Sequence, residues 1–104
     1  MTVIKRFSPE DVLGHELFLP STGQKIKKCG LFNEGDEFIV DSVMQQPENF
    51  CGWAWRDIYK DFSVLFFGGN FAMGPGIQYT SCSDGTKPVC FKLERLDDEP
   101  VTGY

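Results

Sequence analysis

The chain has 104 residues, 41% of them hydrophobic and 24% charged, with a formal net charge of −5. That length supports one hydrophobic core and excludes two independent domains, while the ordinary composition excludes disorder and a fibrous repeat. The acidic balance, with Lys25, Lys27 and Lys28 as the only basic cluster, argues against nucleic acid as a partner, because phosphate neutralisation needs clustered Lys and Arg.

Residues 1–104 are therefore read as a single domain. Its opening residues hold no apolar stretch of signal-peptide length, and nowhere is there a run of about 18 apolar residues. No membrane partner is expected, and a cytoplasmic, reducing location follows. Val3 to Phe7 reads as a short strand. Ser8-Pro9-Glu10-Asp11 then supplies a helix cap, a proline for the first helical position and an acid three residues after the cap, so a short helix is expected to about Leu17. Phe18 to Glu34 lacks periodicity and reads as an irregular connection containing Cys29; ordered loops of that length are often functional.

Gly35 to Asp41 alternates, with Phe38 and Val40 on one face and Glu37, Ile39 and Asp41 on the other, and reads as a strand. A polar turn through Gln45, Gln46 and Pro47 leads to the strongest periodic signal. Cys51, Trp55, Ile58, Phe62, Leu65 and Phe66 recur at helical steps, with Arg56, Asp57, Lys60 and Asp61 between them on the wet side. A helix over residues 51–67 is expected, stopped by Gly68-Gly69. Gly74-Pro75-Gly76 breaks the chain again. Ile77 to Cys82 and Val89 to Leu96 then form a hairpin around residues 83–88. Val89, Phe91 and Leu93 should face the core and Cys90 the other side; Cys90 would lie opposite Cys82 if the loop held three or five residues. Pro100 to Tyr104 reads as a loose tail. The expected fold is α+β: a small sheet of about four strands, mainly antiparallel, packed against one aromatic-rich helix and accompanied by a short N-terminal helix.

Ten Phe, two Trp and three Tyr are a heavy aromatic load for so short a chain, and each brings roughly 150–250 Å² to bury. The surplus points to a self-association surface or a ligand pocket, against a dense core as the plain alternative. The four cysteines offer further chemistry. Cys51 stands at a helix N-terminus, where a thiol's pKa is lowered, yet it is also in phase with the buried stripe, where a cysteine packs as an inert hydrophobe. Cys29, Cys51 and Cys82 form a conceivable thiolate set for zinc or an iron–sulfur cluster, although no Cys-x-x-Cys pair accompanies them. A small enzyme using Cys51 as nucleophile, assisted by Asp57 or His15, is a third reading. His15 itself reads as a solvent-exposed helix residue, and no Ser-His-Asp constellation can be assigned. Glu34-Gly35-Asp36-Glu37-Phe38 departs from the nucleotide-cyclase signature at its first glycine, in a chain too short for that catalytic domain.

Several segments taken together resemble a family of small, functionally uncharacterised bacterial proteins of about this length, frequent in anaerobes. They are Cys29-Gly30-Leu31-Phe32, Gly35-Asp36-Glu37-Phe38, Phe50-Cys51-Gly52-Trp53-Ala54-Trp55, Gly68-Gly69 with Phe71, and the stretch from Cys82-Ser83-Asp84-Gly85 through Lys87-Pro88-Val89 to Glu94-Arg95. The resemblance spans about Val3 to Leu96 and implies one domain with no assigned reaction. It also implies matching cysteines at Cys29, Cys51 and Cys82, whereas Cys90 is particular to this chain. A histidine after the first cysteine and a second cysteine at Ser81, present in some members, are absent here.

The leading expectation is a non-catalytic cytoplasmic binding or accessory protein that self-associates as a homo-oligomer. Cys51, Trp53, Trp55 and Asp84 are its candidate ligand or partner residues. The alternative is a thiolate metal or iron–sulfur protein using Cys29, Cys51 and Cys82.

Overall fold

Three apolar-alternating segments pair in the computed structural model, which describes residues 1–40 and 45–96. They are β1 (Thr2–Arg6), β2 (Ile77–Ser81) and β3 (Val89–Glu94), an antiparallel sheet in the order β1-β3-β2. Val3 lies opposite Phe91 and Arg6 opposite Val89, with an irregularity between Val3 and Lys5 that leaves Ile4 unpaired. On the other side Ser81 faces Cys90 and Ile77 faces Glu94. The Cys82 N–H donates to the Val89 carbonyl (3.1 Å), so the loop holds an even number of residues, Ser83 to Pro88, and Cys82 is not opposite Cys90. The expected alternation holds: Val89, Phe91 and Leu93 are buried, and Cys90 is on the far face.

The expected fourth strand is not formed. Gly35 to Val40 runs along β1, and Val3 N–H donates to the Asp36 carbonyl while Gly35 N–H donates to that of Val3 (both 2.8 Å). Phe38 and Met1 exchange a second pair of bonds (both 2.8 Å), yet only one bridge, Thr2 with Glu37, results, because the Asn33–Asp36 turn closes the segment on one side and the β1 edge ends at Met1 on the other. Asp41, the end of that expected strand, and the tail from Pro100 lie outside the described residues.

The first helix, α1 (Pro9–Leu13), starts as its sequence predicts: Asp11 N–H donates to Ser8 Oγ and Ser8 N–H to Asp11 Oδ2, with Pro9 in the first turn. It stops short of Leu17 because Gly14 takes the left-handed conformation (φ 81°) and donates its N–H to the Glu10 carbonyl. The second helix, α2 (Gly52–Phe66), has Cys51 as its N-cap. It ends in a two-bond cap in which Gly68 N–H donates to Leu65 (3.1 Å) and Gly69 N–H to Val64 (2.8 Å), a geometry that needs the positive φ of Gly68 (89°). Among the described residues no helix is long and apolar enough to cross a membrane.

The buried side of α2 is rotated from the expected stripe. Ala54, Ile58, Asp61 and Leu65 are buried, whereas Trp55, Phe62 and Phe66 are half-buried. Small Ala54 lets the helix approach closely, and the large rings lie on its shoulder, stacking in series: Trp55 on Phe62 (5.5 Å between ring centres) and Phe62 on Phe66 (5.7 Å). Asp61, expected on the wet side, is thus buried, its carboxylate meeting Lys60 at 3.1 Å. A ring cluster fills the centre of the core, with Phe32 5.0 Å and Phe38 4.9 Å from Phe50, and Phe91 5.2 Å from Phe32.

Between Glu10 and Leu31 no residue is buried. This arm comprises α1 beyond its buried Pro9 and the irregular connection expected there, tightened by one isolated bridge between Phe18 and Lys25 and packed against the core through half-buried Cys29.

Candidate functional site

The loop end of the β2–β3 hairpin holds a linked set of titratable side chains. Asp84, second in the loop, folds it around its own carboxylate: Oδ1 accepts from Thr86 N–H (2.9 Å), Thr86 Oγ1 (2.8 Å) and Lys87 N–H (3.2 Å), and Oδ2 accepts from Lys87 Nζ (2.7 Å). An aspartate bonding the backbone two and three residues on is what short Asp-Gly-Thr turns favour. Burial alone would raise the Asp84 carboxyl, but the Lys87 ammonium and the Thr86 and Lys87 donors outweigh it and hold it well below the usual carboxylate range. The bond to Asp84 in turn pushes the Lys87 ammonium up against its own desolvation, and the sulfurs of Cys29 and Cys82 add to that upward push.

Cys82 is therefore placed within a polar setting at the end of β2. Its sulfur accepts the Val89 N–H (3.3 Å). Cys29 reaches the same end from the other side of the sheet, its carbonyl accepting from Arg6 Nη1 (3.0 Å) while Arg6 Nε pairs with Glu34 (3.0 Å). Asp57, on α2, accepts the Ser83 N–H (2.7 Å) and fixes the hairpin to the helix. Of the sequence candidates, Asp84, Cys29 and Cys82 thus share the electrostatic surroundings of Lys87.

Cys51 does not join them as a ligand set. Like Cys29 and Cys82 it is half-buried against the core, but it stands at the start of α2 and makes no side-chain cap bond. Among the described residues no group of three or more His, Cys, Asp or Glu is arranged to hold a metal ion. His15 is exposed, its Nδ1 3.1 Å from the Glu16 carbonyl. Cys90, on the outer sheet face, has its thiol pushed up by burial first and by the neighbouring Cys82 second.

The two tryptophans separate in environment. Trp55 is half-buried between Phe50 (6.1 Å), Tyr59 (5.5 Å) and Phe62, whereas Trp53, two residues earlier on the opposite side of the helix, is 73% exposed. A surface hollow of about 420 Å³, lined by Gln24, Lys25 and Lys27, lies on the arm and contains none of the candidate residues.

Sequence reasoning missed Lys87 and the buried Asp61. The first was readable from the Asp-Gly-Thr-Lys turn, where an amine three residues after the aspartate falls within its reach. The second left no signal, because a charge between apolar positions ordinarily marks the wet side of a helix. No protein-family model, curated protein or solved structure matches the chain.

Proposed function

We propose that the chain is a non-catalytic binding or accessory protein of the cytoplasm that self-associates through exposed apolar and aromatic surface. One observation carries this reading: among the described residues, fourteen large hydrophobic side chains are at least 40% exposed, against nine hydrophobics in the buried core. Single exposed hydrophobics are ordinary, and it is their number on so short a chain that supports an interaction surface. Trp53, Val64 and Phe67 supply it on the outer side of α2, and Ile4 and Tyr79 on the uncovered face of the sheet.

The resemblance to small bacterial proteins adds no reaction to this reading. The thiolate-ligand alternative is the weaker one, since it needs a third donor beside Cys29 and Cys82, and no such group of three is present among the described residues.

Sedimentation equilibrium over a concentration series tests the proposal. Reversible mass above 11.8 kDa supports it; a clean monomer at high concentration overturns it.

A further inference from the structure

Resting on that reading, we infer that the outer edge of β2 pairs, antiparallel and about a two-fold axis at Tyr79, with the same edge of a second copy of this chain. The two edges of the sheet differ. Along β1 the chain closes its own edge, with Val3 bonded to Gly35 and Asp36, and Met1 to Phe38. β2 has β3 on one side and, among the described residues, no strand on the other. Its ends fix which way each residue points: Cys82 N–H donates to the Val89 carbonyl (3.1 Å), and Arg95 N–H donates to that of Gly76 (2.8 Å). Alternation therefore turns the backbone of Gln78 and Thr80 toward β3 and that of Ile77, Tyr79 and Ser81 outward. Of those outward N–H groups only that of Tyr79 has an acceptor among the described residues, the Gln78 side chain of its own strand at 3.3 Å.

A row of free N–H and C=O groups accepts a β-strand, and natural edges are guarded against one by a proline, a bulge or a charge. Ile77 to Ser81 has no proline and no charged residue, and its register with β3 is unbroken. Symmetry makes β2 its own complement. With Tyr79 opposite Tyr79, Ile77 of each copy meets Ser81 of the other, and every outward N–H finds an outward carbonyl. Electrostatics point to the same surface. Copies of a chain of net charge −5 repel one another, yet Phe62 to Ser83, its longest stretch without a charged residue, sets no like charges against each other. Val64, Phe67, Met73 and Tyr79 are exposed within that stretch. Because α2 packs on β2, joining the edges also sets the two α2 helices side by side over one continuous sheet.

The test uses the full chain and compares Tyr79→Pro with Tyr79→Ala. Both lose the ring, but only proline removes the outward N–H, at an edge position where it leaves the bonds to β3 intact. Helicity and thermal midpoint, read by circular dichroism, serve as the folding control. Sedimentation should show wild type self-associating, and the proline variant associating about tenfold or more weakly than the alanine variant, since each copy loses one donor. Amide hydrogen exchange of wild type needs no variant. Ile77, Tyr79 and Ser81 should become protected as concentration rises through the association range, as Gln78 and Thr80, bonded to β3, already are in dilute protein. If wild type self-associates while the outward amides exchange equally fast at every concentration, or if a folded proline variant matches the alanine variant, the edge inference fails while self-association stands. A wild type that stays monomeric removes both.

Discussion

Arg95, just past the end of β3, caps the far end of α2: its Nη1 donates to the Leu65 carbonyl at 3.0 Å and to that of Gly69 at 2.9 Å, while Nη2 reaches Asn70 Oδ1 at 3.0 Å. A cation here meets the negative end of the helix dipole and adds a second donor to the Leu65 carbonyl, which also accepts the capping Gly68 N–H. Arg95→Ala is expected to lower stability by about 2–3 kcal/mol in urea unfolding. Arg95→Lys should recover less than about 1 kcal/mol of that loss, because one ammonium cannot replace a fork spanning three acceptors. Full recovery by lysine would show that charge alone matters.

The Asp84–Lys87 pair should make stability depend on pH at both extremes. The folded Asp84 carboxyl lies below its ordinary 3.8, so its contribution is present above that pH and is lost as pH falls toward the folded value. The folded Lys87 ammonium lies above its ordinary 10.5, so its contribution is present below that pH and is lost as pH rises through the folded value. The stability difference between wild type and Asp84→Asn is therefore expected to stay level from about pH 5 to pH 9 and to shrink beyond either end. Comparing the two proteins removes the acid-side effects of Asp11 and Glu34, whose carboxyls are also lowered, chiefly by backbone hydrogen bonds. A difference that keeps growing as the pH falls below 3.8 would contradict the pairing.

How much of this was legible in the sequence depends on whether the signal was local. The Ser8 capping box, the α2 boundaries and the alternation of Val89, Phe91 and Leu93 are set by residues within a few positions, and the structure has them as expected. The missing fourth strand depends on the Asn33–Asp36 turn and on how little of the β1 edge is left to pair between Val3 and Met1, and a short alternating pattern is silent about that. The side of α2 that goes inward was misjudged because hydrophobicity ranks Trp55 and Phe62 above Ala54, whereas close packing against a sheet favours the small residue. For the site, Cys29, Cys82 and Asp84 were legible as residues, but their shared neighbour Lys87 came from turn geometry. The irregular run from Phe18 to Glu34 was legible from its lack of period, but the absence of any buried residue between Glu10 and Leu31 was not, because an ordinary loop shares that lack.

Cys90 should stand apart in thiol chemistry. Burial and the nearby Cys82 push its thiol above the ordinary 9.0, so the reactive thiolate is scarce near neutral pH. Iodoacetamide labelling mapped to Cys90 by mass spectrometry should still be accelerating as the pH passes 9.0. A rate that levels off below that pH would show that the outer face of the sheet does not desolvate the sulfur.

Trp53 and Trp55 give an optical test of which surface is covered on association. Phe50, Tyr59 and Phe62 pack around Trp55, whereas Trp53 projects into water from the first turn of α2. With Trp53→Phe, the remaining Trp55 emission should be blue-shifted and resist iodide quenching at every protein concentration. With Trp55→Phe, the Trp53 emission should be red-shifted and readily quenched in dilute protein. If the outer side of α2 lies in the interface, quenching of Trp53 should fall as concentration rises through the sedimentation-defined association range, because buried aromatic anchors lose contact with water. If quenching stays constant while mass rises, the outer side of α2 is bystander surface and association runs through other exposed apolar residues.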